Sequence, residues 1–176
     1  MSREKAILAI VDLIRRNQVL NDFLDQAAAD YLGINRTDAN AIDVIDRHGR
    51  ITAGELAREL RLSTGAITAV VDRLERAGYA RRVADPDDRR RVLLEITPVV
   101  QENGERIYGR PEDGFTMWKD FSDADMDVVR RFQEMSRRWL EDRLAKLDEL
   151  VVHDASDSKL PPRKRQHKKL RGSGRA

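Results

Sequence analysis

The sequence predicts a mainly α-helical fold with one small antiparallel β-hairpin, and three observations predict it. Apolar residues recur at spacings of three and four along most of the 176 positions, the period of amphipathic helices. Helix-capping residues and glycine stops punctuate that pattern. Two short β-capable runs, "YARRV" (79–83) and "VLLEI" (92–96), flank an eight-residue polar segment, Ala84 to Arg91, as the strands of a hairpin flank its tip.

In chain order, residues 5–32 place Ile7, Val11, Ile14, Leu20, Phe23, Leu24, Ala27 and Tyr31 on one helical stripe, predicting a single long helix. Asn35-Arg36-Thr37 matches the N-glycosylation sequon, but Thr37 reads better as the N-cap of a shorter helix that carries Ile42 and Ile45 and stops at Gly49. Thr52 and Glu55 have the spacing of a capping box, ahead of Leu56, Ala57 and Leu60. Ser63 then caps a second helix with Ile67, Val70, Val71 and Leu74 on its inner side and Gly78 at its end. Two short helices joined so tightly are a helix-turn-helix. With the hairpin directly after it, the arrangement is a winged helix.

Thr97 is expected to cap a further helix that begins at Pro98, a favoured first helical residue, and "GRPEDG" (109–114) predicts a break. Ser122 and Asp125 open a final long helix with the stripe Val128, Phe132, Met135, Trp139, Leu140, Leu144, Leu147 and Val151. A stripe of this length requires a partner surface.

Composition narrows the function. The chain has 36% charged residues, 40% hydrophobic residues and no cysteine, which excludes disulfides, thiolate zinc sites and thiol redox sensing. A reducing, cytoplasmic setting is expected, with no cleavage signature after the N-terminal apolar run and no membrane-spanning run. Net charge is +2 overall. From Lys159 onward there are eight Lys or Arg and no acid, and removing those eight from the 33 bases leaves 25 against 31 acids, or −6, in residues 1–158. This asymmetry suggests a nucleic-acid or anionic-surface arm, and a solvated terminus without a specific partner reads equally well.

A recognition helix must present small or polar side chains outward while its other side is anchored. Ser63, Thr64, Gly65 and Thr68 face away from Ile67, Val70 and Leu74, and Arg73 lies further along, in reach of a backbone phosphate. Arg89, Arg90 and Arg91 sit at the wing tip, where Asp87 and Asp88 can hold a guanidinium in place by charge-assisted hydrogen bonds. Together these residues predict contact with double-stranded DNA. A metal site at Asp85, Asp87 and Asp88 fits poorly, because the D-x-D-x-D-G loop with its distal Glu is missing and three arginines would repel a cation. No metal, no cofactor and no catalytic residues are expected: Walker, G-x-S-x-G and H-E-x-x-H motifs are missing, and His48, His153 and His167 are far apart.

The order long helix, helix, "ITAGELARELRLSTGAITAVVDRLERAGYARRVADPDDRRRVLLEIT", further helices resembles the MarR family of bacterial transcription regulators, most closely over about residues 51–97. Asp88-Arg89-Arg90 matches the family's D-x-R at the wing tip, and Ile96-Thr97 its L-T after the second strand. The resemblance implies a winged helix-turn-helix flanked by an all-α dimerisation lobe: dimerisation helices over 1–36 and 98–152 and DNA binding over 37–97; a basic, disordered tail expected over 153–176 lies outside the family's common core. It implies Arg90 as the wing arginine steadied by Asp88, and a homodimer whose first and last helices meet through Ile7, Val11, Phe132, Met135, Trp139, Leu144 and Leu147. Such a dimer would set two winged helices about one DNA turn apart on a pseudo-palindrome, more often as a repressor than an activator. A small aromatic or phenolic effector is also implied. Tyr31, His48, Phe115 and Trp118 are candidates for its pocket by character, but core packing for the aromatics and a helix C-terminal charge for His48 are the preferred readings. Three departures from the family pattern stand out: Arg61 replaces the frequent glycine of the helix-helix turn, Ala69 stands where relatives often carry Arg, and Gly109 to Gly114 interrupts a usually helical region. A non-specific nucleic-acid binder or adaptor that uses the winged helix and basic tail is the competing reading.

Overall fold

The computed structural model describes residues 2–156, with the backbone alone described for Pro111 and 152–156. The basic tail expected after residue 158 lies outside the described residues. Two compact units divide the chain, one ending at Met117 and one beginning at Trp118.

In the first unit, α1 spans Arg3–Leu32; the Lys5 N–H donates to Ser2 Oγ at its start, and Gly33 at φ 67° ends it. Helix α2 (Arg36–His48) is capped by Asn35, whose side-chain oxygen accepts from the Asp38 N–H at 3.0 Å. This corrects the expectation at Thr37. Asn is at least as good an N-cap as Thr, and here its amide also donates to the Asp38 carboxylate at 2.9 Å. Arg36, inside the first turn, reaches back to Asp22 and Asp25 on α1.

The expected helix-turn-helix follows as α3 (Ala53–Glu59) and α4 (Thr64–Arg76). Both halves of the Thr52–Glu55 capping box form, and the Ser63 hydroxyl accepts from the Ala66 N–H. Between the helices Arg61 adopts φ 53°, letting the Leu62 N–H return to the Ala57 carbonyl at 2.8 Å. That turn closes α3, and it places a Cβ-bearing residue where the left-handed region costs about 1 to 2 kcal/mol.

The hairpin strands are β2 (Ala80–Ala84) and β3 (Val92–Ile96). A two-residue strand that the sequence pattern did not announce, β1 (Ile51–Thr52), pairs with the far side of β3, giving the antiparallel order β1-β3-β2. Two residues are too few to show a period of two, and only the pairing with β3, Ile51 with Leu94 and Thr52 with Leu93, defines the strand. The core lies between this sheet and helices α2 to α4, where Ile45, Leu56, Ile67, Val71, Leu74 and Leu94 are wholly buried.

Helix α5 (Pro98–Tyr108) starts after Thr97. The Thr97 hydroxyl does not cap it, because it donates to the Gly78 carbonyl at 2.6 Å and fastens the sheet to the end of α4. The expected break occurs at Gly109, φ 78°, before a five-residue α6 (Pro111–Phe115). In the second unit, the Ser122–Asp125 box forms and opens α7 (Asp123–Ser156).

The strain at Arg61 gives a ranked expectation. Arg61→Gly retains or raises stability, and Arg61→Val lowers it by about 1 to 2 kcal/mol, since a β-branched side chain fits the left-handed region worst. Urea unfolding of the two variants checks the order; equal midpoints would contradict it.

Candidate nucleic-acid interface

Helix α4 is anchored by Ile67, Val70, Val71 and Leu74, all buried, and this leaves Ser63, Thr64, Gly65, Ala66, Thr68 and Ala69 exposed. The Thr68 hydroxyl donates to the Thr64 carbonyl at 2.9 Å. Ser63, Thr64, Gly65 and Thr68 thus share the outward surface of the first two turns.

The acids of the wing tip act as a frame. Asp85 is buried, accepts from the Asp87 N–H at 2.9 Å, and lies 3.5 Å from the Arg91 guanidinium. Asp88 repeats the pattern with Arg90: it accepts from the Arg90 N–H at 3.0 Å and from two guanidinium nitrogens at 3.2 and 3.4 Å. Each carboxylate therefore fixes a backbone N–H two residues on and an arginine as well, the bonding by which Asp favours turns. Asp85, not Asp87, takes the second arginine. Hydrogen bonds from Arg90 hold the Asp88 carboxyl below the usual carboxylate range. The Arg90 side chain is nonetheless 91% exposed: Asp88 orders the guanidinium through Nε and Nη2, and the rest of the group faces solvent. Arg89 is exposed beside it. Among the described residues no group of His, Asp and Glu is arranged to hold a metal ion.

Arg73 has a task that the sequence pattern did not indicate. Its Nε and Nη2 donate to the two oxygens of Asp38 at 2.8 and 2.6 Å, and Asp38 is 2% exposed. The guanidinium thereby bolts α4 to α2. Sequence offered no signal for this pair, whose members are 35 positions apart. Two further arginine links were equally invisible. Arg50 and Arg81 both donate to Glu95 on β3, holding its carboxyl below the usual range, and Arg82 joins β2 to Asp72 and Glu75 of α4.

A cavity of about 470 Å3 lies between α1, α2 and α5, lined by Asp25, Asp43, Asp46, Ile96, Val100 and Tyr108 among others. Burial, then the charges of Asp25 and Asp43, push the Tyr108 hydroxyl pKa up. None of the four aromatic or imidazole candidates lines it. Tyr31 and Phe115 are exposed rather than packed in a core, Trp118 stacks edge-on against Phe121, and His48 Nε2 sits 2.5 Å from Glu59 Oε1. The residues singled out for dimerisation, Ile7 and Val11 on α1 and Phe132, Met135, Trp139, Leu144 and Leu147 on α7, are all exposed. No helix among the described residues is long and apolar enough to cross a membrane.

A recognition helix beside an arginine-tipped wing defines a winged-helix, DNA-binding transcription regulator. The chain belongs to the MarR family: residues 32–91 match the profile described as MarR family, and the HTH-type transcriptional regulator YcgE of Bacillus subtilis is 33% identical over 148 residues, 83% of this chain and 96% of that protein. The multiple antibiotic resistance protein MarR of Salmonella typhimurium is 32% identical over 97 residues, 55% of this chain and 64% of that protein. Among solved structures, the fold resembles FabT of Streptococcus pneumoniae in complex with DNA (TM-score 0.55, 22% identity, 79% of this chain and 98% of that one). It also resembles the multiple antibiotic-resistance repressor of Listeria monocytogenes (TM-score 0.52, 15% identity, 80% and 99%). Membership places the chain among transcription regulators and not among enzymes.

Removing Arg73 strands a buried carboxylate, so Arg73→Ala is expected to lower stability by about 3 kcal/mol. Arg73→Lys, which keeps the charge without the two-pronged geometry, is expected to lose less. Denaturant unfolding measures both. Unchanged stability together with weakened DNA binding would return Arg73 to the phosphate role.

Proposed function

We propose that this chain is a homodimeric repressor that binds a pseudo-palindromic operator, reading it with α4 and the wing. One observation carries the reading: Arg90 stands exposed on the wing with its guanidinium ordered by Asp88 through Nε and Nη2. A guanidinium ordered in advance enters a narrow minor groove at a lower entropic cost. Ser63, Thr64, Gly65 and Thr68 face the major groove in this reading, and Arg89 and Arg91 flank the wing contact. Arg73 acts on the interface through Asp38. The organisation follows: dimerisation through 1–36 and 98–152, DNA binding through 37–97, and a basic tail over 153–176, with operation in the cytoplasm.

The dimer is supported by two unpartnered helical faces. Only Ala28 and Ala29 of the thirty residues of α1 are buried, and no residue of α7 from 123 to 151 is. Helices with so much exposed Ile, Leu, Phe and Trp gain their stability by covering those faces. A second copy presents the same stripes, as a two-fold interface requires.

The cavity between α1, α2 and α5 is the place for a small effector in this reading. Carboxylates of Asp25, Asp43 and Asp46 around it repel a phenolate or carboxylate, so a neutral or cationic aromatic suits it better than an acidic phenol. A ligand there lowers DNA affinity by its preference for the DNA-incompetent arrangement. The competing reading, non-specific binding through the winged helix and tail, is favoured by the acid-free sequence from Lys159 onward.

Arg90→Ala is expected to weaken operator binding by about 1 to 3 kcal/mol with the dimer intact, as fluorescence anisotropy and sedimentation would show together; unchanged affinity removes the wing assignment. Leu144→Asp is expected to shift the sedimenting mass from twice 20.2 kDa toward 20.2 kDa and to abolish tight operator binding. A variant that stays dimeric would take α7 out of the interface.

A further inference from the structure

We propose that α4 reads the major groove through thymine methyl groups, without bidentate hydrogen bonds to purines, so that the operator is chosen by the placement of A·T pairs. The inference rests on the operator-binding reading above and names what that surface recognises.

The exposed residues of the first two turns of α4 and its cap are Ser63, Thr64, Gly65, Ala66, Thr68 and Ala69. Bidentate recognition of guanine needs Arg or Lys, and of adenine Asn or Gln; none of these stands here. Two of the three hydroxyls present are engaged with the helix's own backbone. Ser63 Oγ accepts the Ala66 N–H, and Thr68 Oγ1 donates to the Thr64 carbonyl. With its hydroxyl tied down, Thr68 offers its methyl to a ligand, beside those of Ala66 and Ala69. Further along the helix, Asp72 is taken by Arg82 at 2.9 Å, and Arg76 Nε donates to the Asp72 carbonyl.

Gly65 points the same way. Glycine inside a helix is destabilising relative to alanine, yet a Cβ added at Gly65 meets nothing within 4 Å, and its φ is not positive. The chain's own packing therefore gives no reason for glycine. A surface that must lie close against a base edge does. Small residues and methyl groups pressed into the groove match the C5-methyl of thymine, the one apolar group that base pairs present there. The wing arginine complements this preference, since narrow, negative minor grooves belong to A·T-rich tracts.

The test uses the full chain and a random-sequence duplex library. The duplex enriched by selection is remade with uracil in place of thymine, or with 7-deazaguanine in place of guanine, and Kd is measured for each. Loss of one contacted methyl is expected to weaken binding about 4-fold, and about 15-fold when both half-sites lose it, with 7-deazaguanine costing under about 2-fold. The variant Thr68→Ser, which keeps the hydroxyl, is expected to reduce the preference for thymine over uracil and leave the response to 7-deazaguanine unchanged. A loss of about 10-fold or more on 7-deazaguanine, with uracil tolerated, overturns the inference and points to an arginine such as Arg58 or Arg61 on guanine. Enrichment of no sequence at all overturns the operator reading itself.

Discussion

Beyond its apolar anchors, the recognition helix is oriented by one ion pair on a buried carboxylate. Asp38 stands on α2 with almost no exposure, and Arg73 spans from α4 to meet both of its oxygens. Such a pair adds little net stability over an apolar replacement of the same shape. Its value here is geometric, because a planar guanidinium on a carboxylate fixes both distance and orientation. The same Asp38 is held at its own end by Asn35, so the N-cap of α2 and the bolt of α4 are one node. Arg36, next in the chain, ties α2 to Asp22 and Asp25 of α1. Helices α1, α2 and α4 are therefore linked in series, and in the proposed dimer the pairing of the α1 faces sets the separation of the two recognition helices.

Charge pairing serves a different purpose at the wing. Asp85 and Asp88 turn the chain by accepting N–H groups two residues on, and each then reaches an arginine that the turn has brought near. Acid content beside three arginines looks self-cancelling in sequence. In the fold it determines where the positive groups point. Glu95, flanked by Arg50 and Arg81, braces the root of the same sheet.

Local chemistry made much of the fold legible. The Thr52–Glu55 box, the Ser63 cap and Gly78 after α4 are short-range devices, and each stands where its residues suggested. Thr37 misled because Asn35, two residues earlier, competes for the same role and wins through its second bond to Asp38. Strand β1 was hidden by its length. The Arg73–Asp38 and Arg50–Glu95 pairs were hidden by sequence separation: they join charged residues that any surface helix or strand could carry. The cavity shows the same limit, since Tyr108 reaches it only through the packing of α5, while the more conspicuous aromatics lie elsewhere.

The central claim, that a dimer chooses one operator, is tested most directly by binding the full chain to fragments of its own genome at two salt concentrations and sequencing what is retained. The account expects one pseudo-palindromic sequence at both salts, with affinity falling steeply as salt rises because phosphate contacts release counterions. Unrelated fragments retained only at low salt would contradict it, and would leave the basic sequence beyond Lys159 as the main source of DNA affinity.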